Sequence, residues 1–197
     1  MGVISLQKGA RINLTKEAPG LTKIMIGLGW QANQYSDEGF DLDASVFLVD
    51  ENGVTSPENF IFYNNLIGPN ECVKHLGDNR VGGTGDGQND DEQIYIDLDK
   101  IPSNIEKIAI VITIDKYEER KQNFGQVSKS YCRLVNTETN EEQIRLDLGE
   151  EFSIETALVM GEIYRNNGQW KFNAVASGFS GGLLAMCKNY KLDAEYR

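Results

Sequence analysis

One histidine and three cysteines in 197 residues are each a scarcity that removes a class of function. Cys72, Cys132 and Cys187 are odd in number, widely spaced and form no Cys-x-x-Cys pair. That pattern argues against both a structural zinc site and a disulfide framework. The three read as free thiols, buried or half-buried, in a reducing cytoplasm. His75 is the single imidazole, and apart from Arg80 and Lys74 no basic clamp stands near the acids. Histidine-driven acid–base or covalent catalysis therefore lacks its usual parts.

Long apolar runs are missing as well. None approaches the roughly 18–20 residues that cross a bilayer, so no membrane span is expected. The opening MGVISLQKGARINL has no basic stretch leading into an apolar core, which predicts no secretory signal. It resembles a myristoylation site, but Leu6 stands where Ser or Thr is required. With 40% hydrophobic and 25% charged residues the chain has the composition of a folded globular protein.

Bases are the remaining shortage: 19 Lys and Arg face 30 Asp and Glu, a net charge of −11. Two windows carry nearly all of it. Residues 37–50 hold five acids and no base, and residues 78–92 hold five acids and Arg80, so together they account for −9. The rest of the surface is almost balanced. This excludes the basic footprint of a nucleic-acid binder and points to a bound cation. For either window alone, a solvated acidic loop is the better explanation of the charge.

What the sequence does contain is mostly strand. In TKIMIGLGW, Ile24, Ile26, Leu28 and Trp30 alternate onto one face, and in KIAIVITID so do Ile108, Ile110, Ile112 and Ile114. EQIYIDL and EQIRLDL are two further period-two runs, and Asn167-Gly168 between apolar segments predicts a hairpin. GGLLAMCKNYKLD predicts a late helix with Leu183, Leu184, Cys187 and Tyr190 on one face, and Glu118 to Phe124 a further helical turn. Many short strands without alternating helices predict a mainly all-β fold, a two-sheet antiparallel sandwich with a short C-terminal helix.

A faint repeat runs through these strands. Lys23-Ile24-x-Ile26-x-Leu28 and Phe40 recur 84 residues later at Lys107-Ile108-x-Ile110-x-Ile112 and Phe124, and Glu92-Gln93-Ile94-x-x-Asp97-Leu98 recurs 50 residues later at Glu142-Gln143-Ile144-x-x-Asp147-Leu148. Either a duplication spanning about 23–98 and 107–148 or chance similarity between β-rich segments produces this. No linker separates the halves, so residues 1–197 read as one domain.

The chemistry gathers in two motifs. In GFDLDASVFLVD, strand alternation places Asp41 and Asp43 on one face with Cα atoms about 6.8 Å apart, close enough to converge on one ion. The second motif, LGDNRVGGTGDGQNDDE at residues 76–92, supplies five glycines and five acids. Glycine permits positive φ, so such a loop can wrap a small object and aim carbonyl oxygens at it. Two carboxylates about 4 Å apart repel by roughly 1 kcal/mol in water and about 4 kcal/mol at an effective dielectric near 20, which a cation among them relieves. Oxygen donors with no nearby cysteine, and only His75 as a nitrogen donor, select calcium or magnesium, and irregular many-oxygen geometry favours calcium. EF-hand spacing, a phosphate loop ending in Lys and the dinucleotide fingerprint all fail on these residues.

Three ordered segments, FDLDASVFLVD, GDNRVGGTGDGQNDDEQIYIDL and VASGFSGGLLAMCKNY, make the chain resemble the TerD family of tellurite-resistance and general stress proteins, from the first residues to about Tyr190. The resemblance implies a β-sandwich of two sheets that binds Ca2+ through acids of the DLD strand and the glycine-aspartate loop. Carried over, it implies Asp41, Asp43, Asp78, Asn79, Asp86, Asp90, Asp91 and Glu92 as the candidate metal shell. The family's loop is tighter; Gln88-Asn89 stands as an insertion here, leaving open which of Asp86, Asp90 and Asp91 coordinate directly. It also implies stress resistance, phage defence and assembly with protein partners at the inner face of the membrane. The expected function is thus a non-catalytic cytoplasmic calcium-binding stress protein. Two alternatives use the same acids: a magnesium-dependent phosphoryl-transfer or hydrolytic enzyme, and a calcium-assisted small-molecule module in which Trp30, Tyr35 or Tyr63 stacks on a ring.

Overall fold

The computed structural model describes residues 4–5, 11–31, 39–80, 82–83, 89–148, 152 and 154–192. Its strands are β1 (Ile4–Ser5), β2 (Arg11–Ile12), β3 (Lys23–Gly29), β4 (Leu42–Val49), β5 (Phe60–Ile61), β6 (Val73–His75), β7 (Glu92–Asp97), β8 (Lys107–Ile114), β9 (Tyr131–Asn136), β10 (Glu141–Asp147), β11 (Ala157–Asn166), β12 (Gln169–Asn173) and β13 (Ser177–Phe179). Three short helices accompany them: α1 (Leu14–Glu17), α2 (Tyr117–Arg120) and α3 (Gly182–Asn189).

The alternating apolar residues of β3 and β8 explain the two layers. Ile24, Ile26 and Leu28 from one strand, and Ile108, Ile110 and Ile112 from the other, are buried in a single core between two sheets. The first sheet runs β1-β10-β9-β3-β7-β6 and the second β2-β12-β11-β8-β4-β5, with β13 also on β11. Among the described strands every pairing is antiparallel except β1 on β10. Each sheet ends in strands of two or three residues: β1 and β6 in the first, β2 and β5 in the second. The β11–β12 hairpin turns at Asn167 and Gly168, both at positive φ (53° and 73°), as the Asn-Gly pair predicts.

β8 and the second half of β4 are largely apolar on both faces for a reason that alternation alone does not reveal. Helix α3 lies on the outer face of the second sheet, where Met186, Tyr190 and Leu192 join Phe47, Val49, Ala109, Val111, Ala157 and Val159 in a second cluster. Leu183, Cys187 and Tyr190 of the predicted face pack there, while Met186 is fully buried in the cluster and Leu184 stays 49% exposed, which corrects that face at one position. A second helical turn does occur near 118–124, as α2, followed by a 3-10 turn at Phe124–Gln126.

The repeated segments fall in reciprocal positions. β3 and β8 each lie inside a different sheet, β4 pairs with β8, and β9 pairs with β3. β7 and β10, which carry the second repeat, lie in the same sheet.

Candidate metal centre

β4 leaves part of its outer face beyond the reach of α3. Asp41, Asp43 and Ser45 precede Phe47 and Val49 on that face, and the cluster beneath α3 begins only at Phe47. The antiparallel register sets Asp43 opposite Thr113, and the Asp115 N–H donates to the Asp41 carbonyl at 2.9 Å, so Asp115 stands opposite Asp41. The third segment follows β6, where Gly77 at φ 117° redirects the chain and Asp78 follows. One carboxylate oxygen from each of Asp41, Asp43 and Asp78 lies within 4.8 Å of the others.

Crowding and burial raise the cost of charge here. Asp41 and Asp43 are 6% and 7% exposed. Burial, then the charges of Glu92, Asp41, Asp115 and Asp78, push the Asp43 carboxyl up to about 8. Asp41 is raised in the same way, by burial and by Asp78 and Asp115, against the opposing pull of Arg120 and Arg80. Arg120 stands 3.7 Å from Asp41 Oδ2 and 3.8 Å from Asp115 Oδ2, beyond hydrogen-bond distance of both. Asp41 Oδ1 is buried with no hydrogen-bond partner. An unsatisfied buried acceptor costs about 1–3 kcal/mol, and more when charged. A hard divalent cation would relieve all three strains at once: the orphaned oxygen, the mutual repulsion and the lost solvation. The residues present therefore fit the group that the sequence implies.

A layer of hydrogen bonds surrounds the triad. Glu92, fully buried, accepts the Ala44 N–H on Oε2 at 2.7 Å and the Asn79 N–H on Oε1 at 3.3 Å. Asn79 donates through Nδ2 to Asp91 Oδ1 at 3.4 Å, and Asp91 Oδ2 accepts the Trp30 N–H at 2.9 Å. His75 Nδ1 accepts the Gly77 N–H, which leaves its proton on Nε2 to face the Ala44 carbonyl; both contacts are 3.1 Å. Burial lowers the His75 pKa, consistent with this neutral tautomer. With both nitrogens engaged, His75 is structural rather than a base waiting for a substrate.

Asp90 goes elsewhere. Simple alternation from Glu92 would aim it at the core, but just before β7 it lies instead over the outer face of the first sheet, where Arg133 holds both its oxygens and Tyr131 and Gln93 add hydrogen bonds. Gly27 makes room: a Cβ there would come 2.4 Å from the Asp90 carboxylate. Of the candidate shell, then, Asp41, Asp43 and Asp78 meet, while Asn79, Asp91 and Glu92 stand behind them. Asp90 faces away, and Asp86 lies outside the described residues. The sequence reading missed Asp115 and Arg120. Asp115 was visible as the acid closing the KIAIVITID run, but only the β4–β8 register brings it to Asp41.

The aromatic candidates divide similarly. Trp30 is buried and donates through Nε1 to the Phe40 carbonyl at 3.1 Å, and Tyr35 lies outside the described residues. Tyr63, 36% exposed, borders a cavity of about 430 Å3 shared with Asp43, Asp115, Tyr117 and Leu183. Among the described residues no helix is long and apolar enough to cross a membrane.

Comparison with known proteins places this geometry in context. The TerD domain model matches residues 1–190. General stress protein 16U of Bacillus subtilis (strain 168) is 54% identical over 191 residues, covering 96% of this chain and 97% of that protein. Tellurium resistance protein TerD of Serratia marcescens is 47% identical over 192 residues, covering 97% and 98%. Among solved structures, a homologue of telluride resistance protein (TerD) from Streptomyces coelicolor A3(2) superposes with a TM-score of 0.69 at 19% identity, over 85% of this chain and 95% of that one. That structure supports the two-sheet fold, and the sequence relatives establish the kinship: the chain belongs to the TerD family.

Proposed function

We propose that this chain is a calcium-binding, non-catalytic stress-response protein of the tellurium-resistance type. It acts in the cytoplasm by presenting a metal-ordered acidic face to protein partners. The observation that carries this reading is the orphaned Asp41 Oδ1 inside a three-carboxylate cluster, in which Asp41 and Asp43 are buried and Asp78 is exposed. Such a cluster opposes folding unless a hard cation sits in it. The names of its relatives, general stress protein and tellurium resistance protein, support the cellular setting.

Calorimetric titration of chelator-stripped protein with calcium and with magnesium tests the metal. Saturable calcium binding that is lost in Asp41→Ala/Asp43→Ala is the expected result. Absence of calcium binding, or binding unchanged in that variant, removes the reading.

The cavity beside Asp43 supports a second reading, a calcium-assisted small-molecule module. Tyr63 and Tyr117 offer ring faces to a ligand whose oxygens complete the metal's coordination. A metabolite and glycan screen separates the two: a hit that needs calcium and is lost in Tyr63→Ala favours the module.

A further inference from the structure

We infer that Glu92 is a positioning residue that assembles the metal site from its two halves, rather than a ligand of the metal. The inference rests on reading the aspartate triad as a cation site. Its basis is where the two Glu92 oxygens go. One accepts the N–H of Ala44, the residue directly after Asp43, and the other accepts the N–H of Asn79, the residue directly after Asp78. A single carboxylate thus clamps the two chain segments that carry the triad. Its own oxygens lie outside the set that converges within 4.8 Å.

The topology explains why the clamp is needed. β5 pairs with β4 only at Val46 and Phe47, so among the described residues the first half of that β4 edge has no neighbouring strand. Ala44 would then carry an unsatisfied N–H and carbonyl at a buried position. Glu92 from β7 supplies the acceptor, and His75 from β6 supplies the donor through Nε2. Both strands belong to the opposite sheet, so two side chains take the place of a missing strand and lock the sheets together beside Asp43. The His75 ring and the Glu92 carboxylate are 1% and 0% exposed, which leaves little freedom for either to swing toward an ion. The site is therefore held in its binding geometry before metal arrives.

The test compares wild type with Glu92→Gln, using europium as a luminescent substitute for calcium and amide exchange in chelator. Luminescence lifetimes in H2O and D2O count the waters on the ion. A positioning role predicts the same water count in both proteins, at least ten-fold weaker europium binding in the variant, and at least ten-fold faster exchange of the Ala44 and Asn79 amides without metal. A water count that rises by one or two while those amides stay protected makes Glu92 a ligand and overturns the proposal. Should the variant not fold, metal-free wild type decides: both amides protected before calcium is added supports the clamp, and protection gained only with calcium refutes it. Failure of wild type to bind europium or calcium at all would defeat the cation reading, while the exchange arm would still judge the clamp.

Discussion

Asp90 and Arg133 form a two-pronged ion pair on the outer face of the first sheet, Nε to Oδ1 at 2.8 Å and Nη2 to Oδ2 at 2.9 Å. The Asp90 side chain is fully buried, and its partner is 22% exposed. Removing one member of such a pair strands the other charge and costs about 3–5 kcal/mol. Arg133→Met is expected to lose that much in urea denaturation, and Asp90→Asn/Arg133→Met to recover part of it. The double variant keeps the wild-type calcium response, because Asp90 faces away from the triad. Loss of that response would return Asp90 to the metal shell.

The aspartate triad makes binding and folding separable. Asp43→Asn removes a buried charge that repels Asp41 and Glu92, so in chelator at pH 8 the variant is expected to melt no lower than wild type. Wild type should gain about 3–4 kcal/mol of stability at 100–1,000 times the dissociation constant for calcium, and the variant none. Thermal melts with calcium and with chelator measure both. A variant that melts lower without metal and still responds to calcium contradicts the account.

Protonation gives the metal-free protein a distinctive pH dependence. Burial pushes Asp43 and Glu92 up to about 8, so the folded state holds these protons more tightly than the unfolded chain. Their contribution to stability is complete below the ordinary carboxylate range, about 4, and is lost as pH rises through about 8. His75, lowered by burial, acts in the opposite sense and weakens the fold as pH falls below about 6.5. Metal-free melting temperature should therefore decline from pH 6 to pH 9, and saturating calcium should flatten that decline. A metal-free curve that rises over this window would show that the acids are not strained.

Trp30 offers an optical readout of the glycine loop. Gly82 sits at φ 62° against the indole, where a Cβ would come 2.4 Å from Nε1. Gly82→Ala combines a clash with a left-handed backbone and is expected to cost about 1–3 kcal/mol. In a Trp170→Phe background, calcium should change Trp30 emission, since Asp91 connects the Trp30 backbone to Asn79 beside the triad. Emission that ignores calcium while calorimetry records binding would uncouple the indole from the site.

Period-two patterning made β3, β7, β8 and β10 legible because each buries at least one face against the shared core. Of the face predicted for α3, Leu183, Cys187 and Tyr190 do pack on the second sheet, and only Leu184 was misplaced and Met186 missed, because which residues point inward depends on where the helix lies over that sheet. α1 spans four residues, too few to leave a periodic signal. At the site, Asp41 and Asp43 were readable as same-strand neighbours, whereas Asp115 and Arg120 join them only through pairing across the sheet. Asp90 and Asp91 are adjacent in sequence and indistinguishable by composition. The absence of a side chain at Gly27, sixty-odd residues earlier, is what lets the first lie over the outer face beside Arg133.

The two- and three-residue strands that finish each sheet have a consequence for behaviour in a crowded cell. A long bare edge invites another copy to add its own strand and begin a fibre. Here the outermost ladders are too brief to template that growth, and the bare stretch beside Ala44 is plugged by an imidazole and a carboxylate. The described edges are thereby built against strand-by-strand addition of a second copy.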